Sequence, residues 1–190
     1  KQLKANGNVT LATSDSNRVI YLHMDTNRDK TPFAFDKQGQ PLEKNPLQDL
    51  KVRQAISKAI NREAIVERVL EGIGIPASQL LPEGFFRVSP KLKVEKYDVN
   101  SAKKLLAEAG YPQGFKIMLH SPNNRYIKDK DVAQAVASML SRIGIETSVD
   151  AMPSNVFFSR GSKLEFSLML VGWGAGTGEA SSPIKSLLAT

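Results

Sequence analysis

The chain contains no cysteine, which excludes a disulfide scaffold, a thiolate metal site and a cysteine nucleophile. Histidine is nearly as scarce, with only His23 and His120, and neither falls in an H-E-x-x-H or other metal-ligand spacing. No G-x-S-x-G elbow is present, and nothing in the sequence positions a carboxylate for Ser121 beside His120, so a serine triad is not expected. Asp129 and Asp131 alternate with Lys128 and Lys130, a pattern for the first turn of a helix rather than a pair of catalytic carboxylates. These absences assign no catalytic residue, no metal and no cofactor. Nor does any apolar run approach the roughly 20 residues that a membrane-spanning helix needs.

At 190 residues, with 41% hydrophobic and 24% charged residues, the composition is that of a globular domain, and one compact unit is expected. The net charge is +7, which raises nucleic acid as a partner. Its distribution argues against that. Residues 1–100 hold 16 Lys and Arg against 12 Asp and Glu, and residues 101–190 hold 10 against 7, so neither half is a basic arm. The densest basic run, Lys91 to Lys96, is broken by Leu92, Val94 and Glu95.

What is present is clearest between Tyr97 and Pro122. Asp98 is a natural helix N-cap, Ala102, Leu105, Leu106 and Ala109 mark one helical face, and Gly110 supplies a left-handed end. Phe115, Ile117 and Leu119 then alternate with Lys116, Met118 and His120 as a strand. A second such unit follows: Val132, Val136, Met139 and Ile143 trace a helix, Gly144 ends it, and Ile145, Thr147, Val149 and Ala151 alternate. A helix crossing between two strands favours parallel pairing. Upstream, residues 18–24 are strand-like, Val52 to Ile60 carry one helical stripe, and Ile65 to Leu70 carry another behind the cap candidate Asn61. Ile73 to Lys96 has neither period and is expected to be a long loop packed through Leu80, Leu81, Phe85 and Phe86. Pro153 to Arg160 is expected to be a short helix and Phe166 to Gly172 a buried strand. Ser182 and Pro183 resemble a cap and first helical residue, with Ile184, Leu187 and Leu188 as the apolar face. The fold class is therefore α/β, a mixed sheet flanked by helices.

Two segments are candidates for binding. Gly172 to Pro183, GWGAGTGEASSP, follows a strand and precedes a helix, where phosphate-cradling loops sit, but no Lys follows the glycines and Glu179 stands where a dinucleotide loop needs Gly. A nucleotide-dependent α/β enzyme using Gly172 to Gly178 is thus the alternative function. Trp173, the single tryptophan, sits between two glycines and suits either a ligand face or core closure. Asn123, Asn124, Arg125 and Tyr126 follow a strand directly, and carboxyl ends of strands are the usual ligand edge of an α/β sheet.

Four segments together resemble the extracellular solute-binding proteins of family 5, the peptide, dipeptide and nickel receptors of bacterial ABC importers. They are VRQAISKAINREAIVERVLEG (Val52 to Gly72), YDVNSAKKLLAEAGYPQGF (Tyr97 to Phe115), IGIETSV (Ile143 to Val149) and LVGWGAG (Leu170 to Gly176). The resemblance implies a two-lobed periplasmic binding protein of type II, not an enzyme, found in the periplasm or outside the cell at the membrane. Residues 1–190 would form a single α/β lobe, the C-terminal ligand-binding lobe of a larger protein, truncated at both ends and lacking the signal peptide. The expected partners are a small solute, most simply a peptide, and a membrane permease met by the full-length protein; a monomer with no nucleic acid is expected. The implied ligand-binding residues are Asn124, Arg125, Tyr126, Trp173, Gly174, Gly176 and Glu179. Peptide-binding members often carry W-x-A-D where this chain has WGAG, so Gly176 replaces an acidic residue that pairs with the peptide amine, and Glu179 is the nearest substitute.

Overall fold

The computed structural model describes residues 10, 12 and 14–187. The first three of its α-helices begin where short polar side chains satisfy free backbone donors. The Asp49 carboxylate accepts from the Lys51 amide at 2.7 Å to open α1 (Leu50–Ala59). Asn61 accepts from the Ala64 amide at 2.9 Å to open α2 (Arg62–Ala64), which widens into a π-helical turn (Ile65–Val69). Asp98 accepts from the Ser101 amide at 2.9 Å and its hydroxyl at 2.7 Å, capping α3 (Val99–Glu108). The remaining helices are α4 (Asp129–Ser141), α5 (Ser154–Ser162) and α6 (Ser181–Leu187).

Five strands form one mixed sheet: β1 (Arg18–Met24), β2 (Ala34–Phe35), β3 (Phe115–Pro122), β4 (Ile145–Met152) and β5 (Leu168–Gly174). β3 is central. Along its whole length it pairs parallel with β4, from Phe115 opposite Ile145 to Pro122 opposite Met152. Its other side is shared: β2 pairs antiparallel with Lys116 and Ile117, and β5 pairs parallel with Leu119 and His120. β1 completes the order by pairing antiparallel with β5, Arg18 opposite Gly174 and Met24 opposite Leu168. The carboxyl ends of β3, β4 and β5 and the start of β1 consequently lie at one edge.

The two faces of this sheet are covered unequally. On one, Phe115, Ile117, Leu119, Ile145, Leu168 and Leu170 pack against the apolar stripes of α1, α3 and α4 in the main core. On the other, a smaller cluster of Met152, Phe157 and Phe166 places α5 over the sheet. Strand alternation sends His120 to this second face, where it stacks on Phe166 at 4.1 Å and meets Phe33 edge-on at 4.7 Å. The turns feeding β3 and β4 also touch. A Cβ on Gly114, whose φ is +73°, would lie 2.0 Å from the Gly144 carbonyl oxygen.

Several expectations are amended. β5 runs two residues beyond Gly172, because β1 supplies ladder partners for Trp173 and Gly174. It starts two residues later than Phe166, where side chains hold the backbone instead: Arg28 donates to the Phe166 carbonyl at 2.7 Å, and the Ser167 hydroxyl accepts from Thr31 Oγ1 at 2.7 Å. Helix α6 begins at Ser181 rather than after Ser182, since the Ala180 carbonyl accepts the Ile184 amide at 3.2 Å. Pro183 still falls in the first turn, where its missing N–H costs nothing; Leu188 lies outside the described residues. In the long loop, Leu81 is buried but Phe86 is 67% exposed. The loop is closed instead by Gln79, whose side-chain amide exchanges hydrogen bonds with the Ser89 N–H (2.9 Å) and C=O (2.8 Å).

Candidate ligand-binding site

The shared strand edge brings together most of the residues singled out from sequence. Beyond β3, the turn 123–128 is tied down by Asp129, a buried carboxylate that accepts from the Arg125 amide at 2.9 Å and the Tyr126 amide at 3.0 Å. The helix-start role expected of Asp129 therefore extends to holding this turn. Tyr126 is thereby aimed across the edge at β5. Its hydroxyl accepts from the Gly172 amide at 2.9 Å and donates to the Gly172 carbonyl at 3.4 Å. Both hydroxyl functions are used, so what Tyr126 offers a ligand is its ring. Burial, reinforced by Tyr126, pushes the neighbouring Tyr21 phenol up to about 12.

Gly172 is required by this contact. A Cβ there would stand 2.9 Å from Tyr126 Cε1 and 2.6 Å from Ile20 Cδ1. Gly172 and Trp173 are strand residues, not the start of a flexible phosphate loop. The indole Nε1 of Trp173 is buried without a hydrogen-bond partner. Gly174 faces Arg18 in the ladder, and Arg18 Nη2 would lie 3.5 Å from a Cβ at that position. Asn17 donates to the Ala175 carbonyl at 3.0 Å.

Arg18 and Asn17 were not among the sequence candidates. Their strand was recognisable, but its partner was not, and only the pairing with β5 brings them to the edge. The two glycines of β5 were the available signal, because a strand without side chains leaves surface for a neighbour to occupy. The ζ-carbons of Arg18 and Arg125 lie 5.8 and 5.9 Å from the Tyr126 ring centroid, within cation–π range.

Two candidates are engaged elsewhere and one is open. The Asn124 side-chain oxygen accepts from the Ser154 amide at 2.8 Å, at the start of α5. Glu179 pairs with Arg87 at 3.5 Å and forms a bridge with Phe86, so it meets the long loop. Gly176 is exposed, and a Cβ there would meet nothing within 4 Å. Away from this edge, a recess of about 620 Å³ between Asp29, Glu43, Asp49 and Tyr111 lies near the amino end of β3. Among the described residues, no three His, Cys, Asp or Glu side chains are arranged to hold a metal ion.

His120 is inaccessible to solvent and neither ring nitrogen has a hydrogen-bond partner. Burial lowers its pKa, opposed by Asp150, whose carboxylate is 3.9 Å from Nε2 and also 3.6 Å from Arg160, itself paired with Glu165. The unfolded chain therefore takes up this proton at a higher pH than the folded one. Stability should be full above the ordinary imidazole pKa of about 6.5 and decline as pH falls toward the lowered folded value. Burial shifts His23 the same way, opposed by the nearby Asp25 carboxylate. Urea midpoints measured from pH 8 down to pH 5 should fall, and less steeply in His120→Phe; an unchanged slope in the variant would contradict this account.

The family model for bacterial extracellular solute-binding proteins, family 5 Middle, matches residues 1–190. The chain belongs to this family. Family 5 relatives include the glutathione-binding protein GsiB of Pectobacterium atrosepticum, 32% identical over 198 residues, covering 100% of this chain and 34% of that protein. Heme-binding protein A of Haemophilus influenzae is 30% identical over 154 residues, 77% of this chain and 27% of that protein. Among solved structures, the dipeptide binding protein of Pseudoalteromonas sp. SM9913 in complex with Met-Leu superposes with a TM-score of 0.76 at 27% identity, covering 93% of this chain and 32% of that one. This family 5 chain thus spans about a third of the length of relatives whose names specify different solutes.

Proposed function

We propose that the chain is one lobe of the solute receptor of an ABC importer, with no catalytic turnover, and that it binds its solute, most simply a peptide, at the edge formed by β1, β3 and β5. A second lobe outside this chain would close over that edge, and the closed receptor would deliver the solute to a membrane permease from the periplasm or the cell exterior. The observation that carries this reading is the convergence of Arg18, Arg125 and Tyr126 beside Gly172 and Gly174 where two parallel strands end, in a chain of family 5. Carboxyl ends of strands are where open α/β sheets take ligands.

Each lobe would contribute part of the contacts, and the solute would shift an existing equilibrium between open and closed forms. The isolated lobe is then expected to bind at millimolar concentrations or weaker, about 4 kcal/mol or less. The nucleotide-enzyme alternative loses support from the same geometry. Gly172 and Gly174 are strand residues, and α6, which follows the glycines, is seven residues long.

Native mass spectrometry of the full-length protein, purified without denaturation, tests the reading. A co-purified solute released on unfolding is expected, and a set of masses that fragment into amino-acid residues would specify a peptide. A protein that carries no solute, and whose melting temperature is unmoved by a broad solute library, is not a receptor of this kind.

A further inference from the structure

We propose that residues 72–96 form a strap that lifts from the lobe as one unit, latched by Arg87 on Glu179, and that its closing orders the 175–180 segment at the solute edge. Only the role at that edge rests on the receptor reading above.

The strap draws little stability from the cores. Leu70 before it and Val99 after it pack against the main core, but among the described residues no side chain from 71 to 98 belongs to either core cluster. Leu81 is the one buried hydrophobic residue described in that stretch, whereas Ile73, Ile75, Phe86 and Leu92 are exposed. A segment that buries so little apolar surface opens at a lower free energy than the sheet.

Its two ends are pinned. Glu71 pairs with Lys128 at 2.7 Å, and Glu95 pairs at 2.7 Å with Lys58, whose carbonyl also accepts the Asp98 amide at 2.9 Å. At the first pin, Glu71, Gly72 and Gly74 have φ values of +55°, +82° and +122°, a run of positive-φ backbone able to absorb a rotation. Farther along, the reciprocal hydrogen bonds of Gln79 and Ser89 close residues 79–89 into a small loop that moves together.

That closed loop meets residues 175–180. Arg87 Nε is 3.5 Å from Glu179 Oε1, and the Ala180 amide donates to the Phe86 carbonyl at 3.4 Å. Phe85 lies against Gly178, where a Cβ would stand 3.4 Å from the ring. These polar contacts are long for their kind, and an exposed ion pair contributes little alone. Arg87 moreover holds its pair from a left-handed backbone, φ +63°, which a residue with a Cβ adopts at a cost. The latch is therefore easily released. What it grips follows β5 directly and includes Gly176, so opening the strap loosens one side of the edge beside Gly174 and Arg18.

Hydrogen-exchange mass spectrometry on the full-length protein tests this. In wild type, peptides containing Ser89 and Ala180 should exchange together, at least about tenfold faster than those of β3. Arg87→Glu, which replaces attraction by repulsion, should speed both about fivefold and leave the β3–β4 ladder unchanged. Adding Glu179→Arg reverses the pair and should return both to within about twofold of wild type. Exchange of either peptide at the β3 rate, a response confined to one of them, or no recovery in the reversed pair overturns the proposal. The wild-type comparison stands even if a variant misfolds. A full-length protein that carries no solute would sink the receptor reading and leave the strap intact.

Discussion

Replacing Gly114 by alanine should cost at least about 3 kcal/mol of folding stability, a large share of the 5–15 kcal/mol typical of a domain. The added Cβ would sit 2.0 Å from the Gly144 carbonyl oxygen and 2.4 Å from its carbon. Those are backbone atoms of the turn that starts β4, so no rotamer change removes the clash. Relief would require moving β4 away from β3, against the full parallel ladder from Phe115 to Pro122. Gly110→Ala is the matched control. Its φ is +89° with nothing within 4 Å of the added carbon, so it pays only the left-handed penalty of about 1 kcal/mol. Denaturant titration of both variants checks the comparison, and equal losses would mean that the two turns do not touch.

Gly172→Ala should be the most damaging single-methyl change at the edge formed by β1, β3 and β5, at about 2–4 kcal/mol. The tip of Ile20, 2.6 Å from the new carbon, can turn away, because it is 38% exposed and flexible. The Tyr126 ring, at 2.9 Å, cannot move without giving up its two hydrogen bonds to the Gly172 backbone, each worth about 1 kcal/mol. The loss should therefore depend on Tyr126. In a Tyr126→Ala background, the same substitution should cost less than about 1 kcal/mol. Additive losses in the double-mutant cycle would show that the glycine is needed for some other reason.

What was legible in the sequence is what short-range chemistry writes. Asp98 and Gly110 bound α3, Phe115, Ile117 and Leu119 face the core, and α4 crosses to a strand that does pair in parallel, all between Asp98 and Met152. The family resemblance reached the receptor class by a different route, and the residues it implied do cluster in part at one edge. The fine chemistry there was not legible. Whether Asn124 faces a ligand or holds α5, and whether Glu179 is free or paired with Arg87, depends on segments about 30 and 90 residues away. Arg18 escaped notice for the same reason, since its partner Gly174 lies at the other end of the chain. Alternation within β3 also could not reveal that His120 would be sealed under Phe166 without a hydrogen bond.

The pairing of β1 with β5 carries a consequence for the order of assembly. The β3–α4–β4 unit closes over a short stretch of chain, whereas Arg18 meets Gly174 only after nearly the whole chain has been looped. Loop-closure entropy is charged before such a distant contact returns any stability. The β1–β5 ladder is therefore a late arrival in folding and an early departure in local opening, and its amides should exchange with solvent sooner than those at the centre of β3. The residues at the start of β1 and the end of β5, Arg18 and Gly174 among them, are then partly those whose structure is least costly to undo. A molecule that bridged β1 and β5 would act as a clasp on the most weakly fastened seam of the sheet.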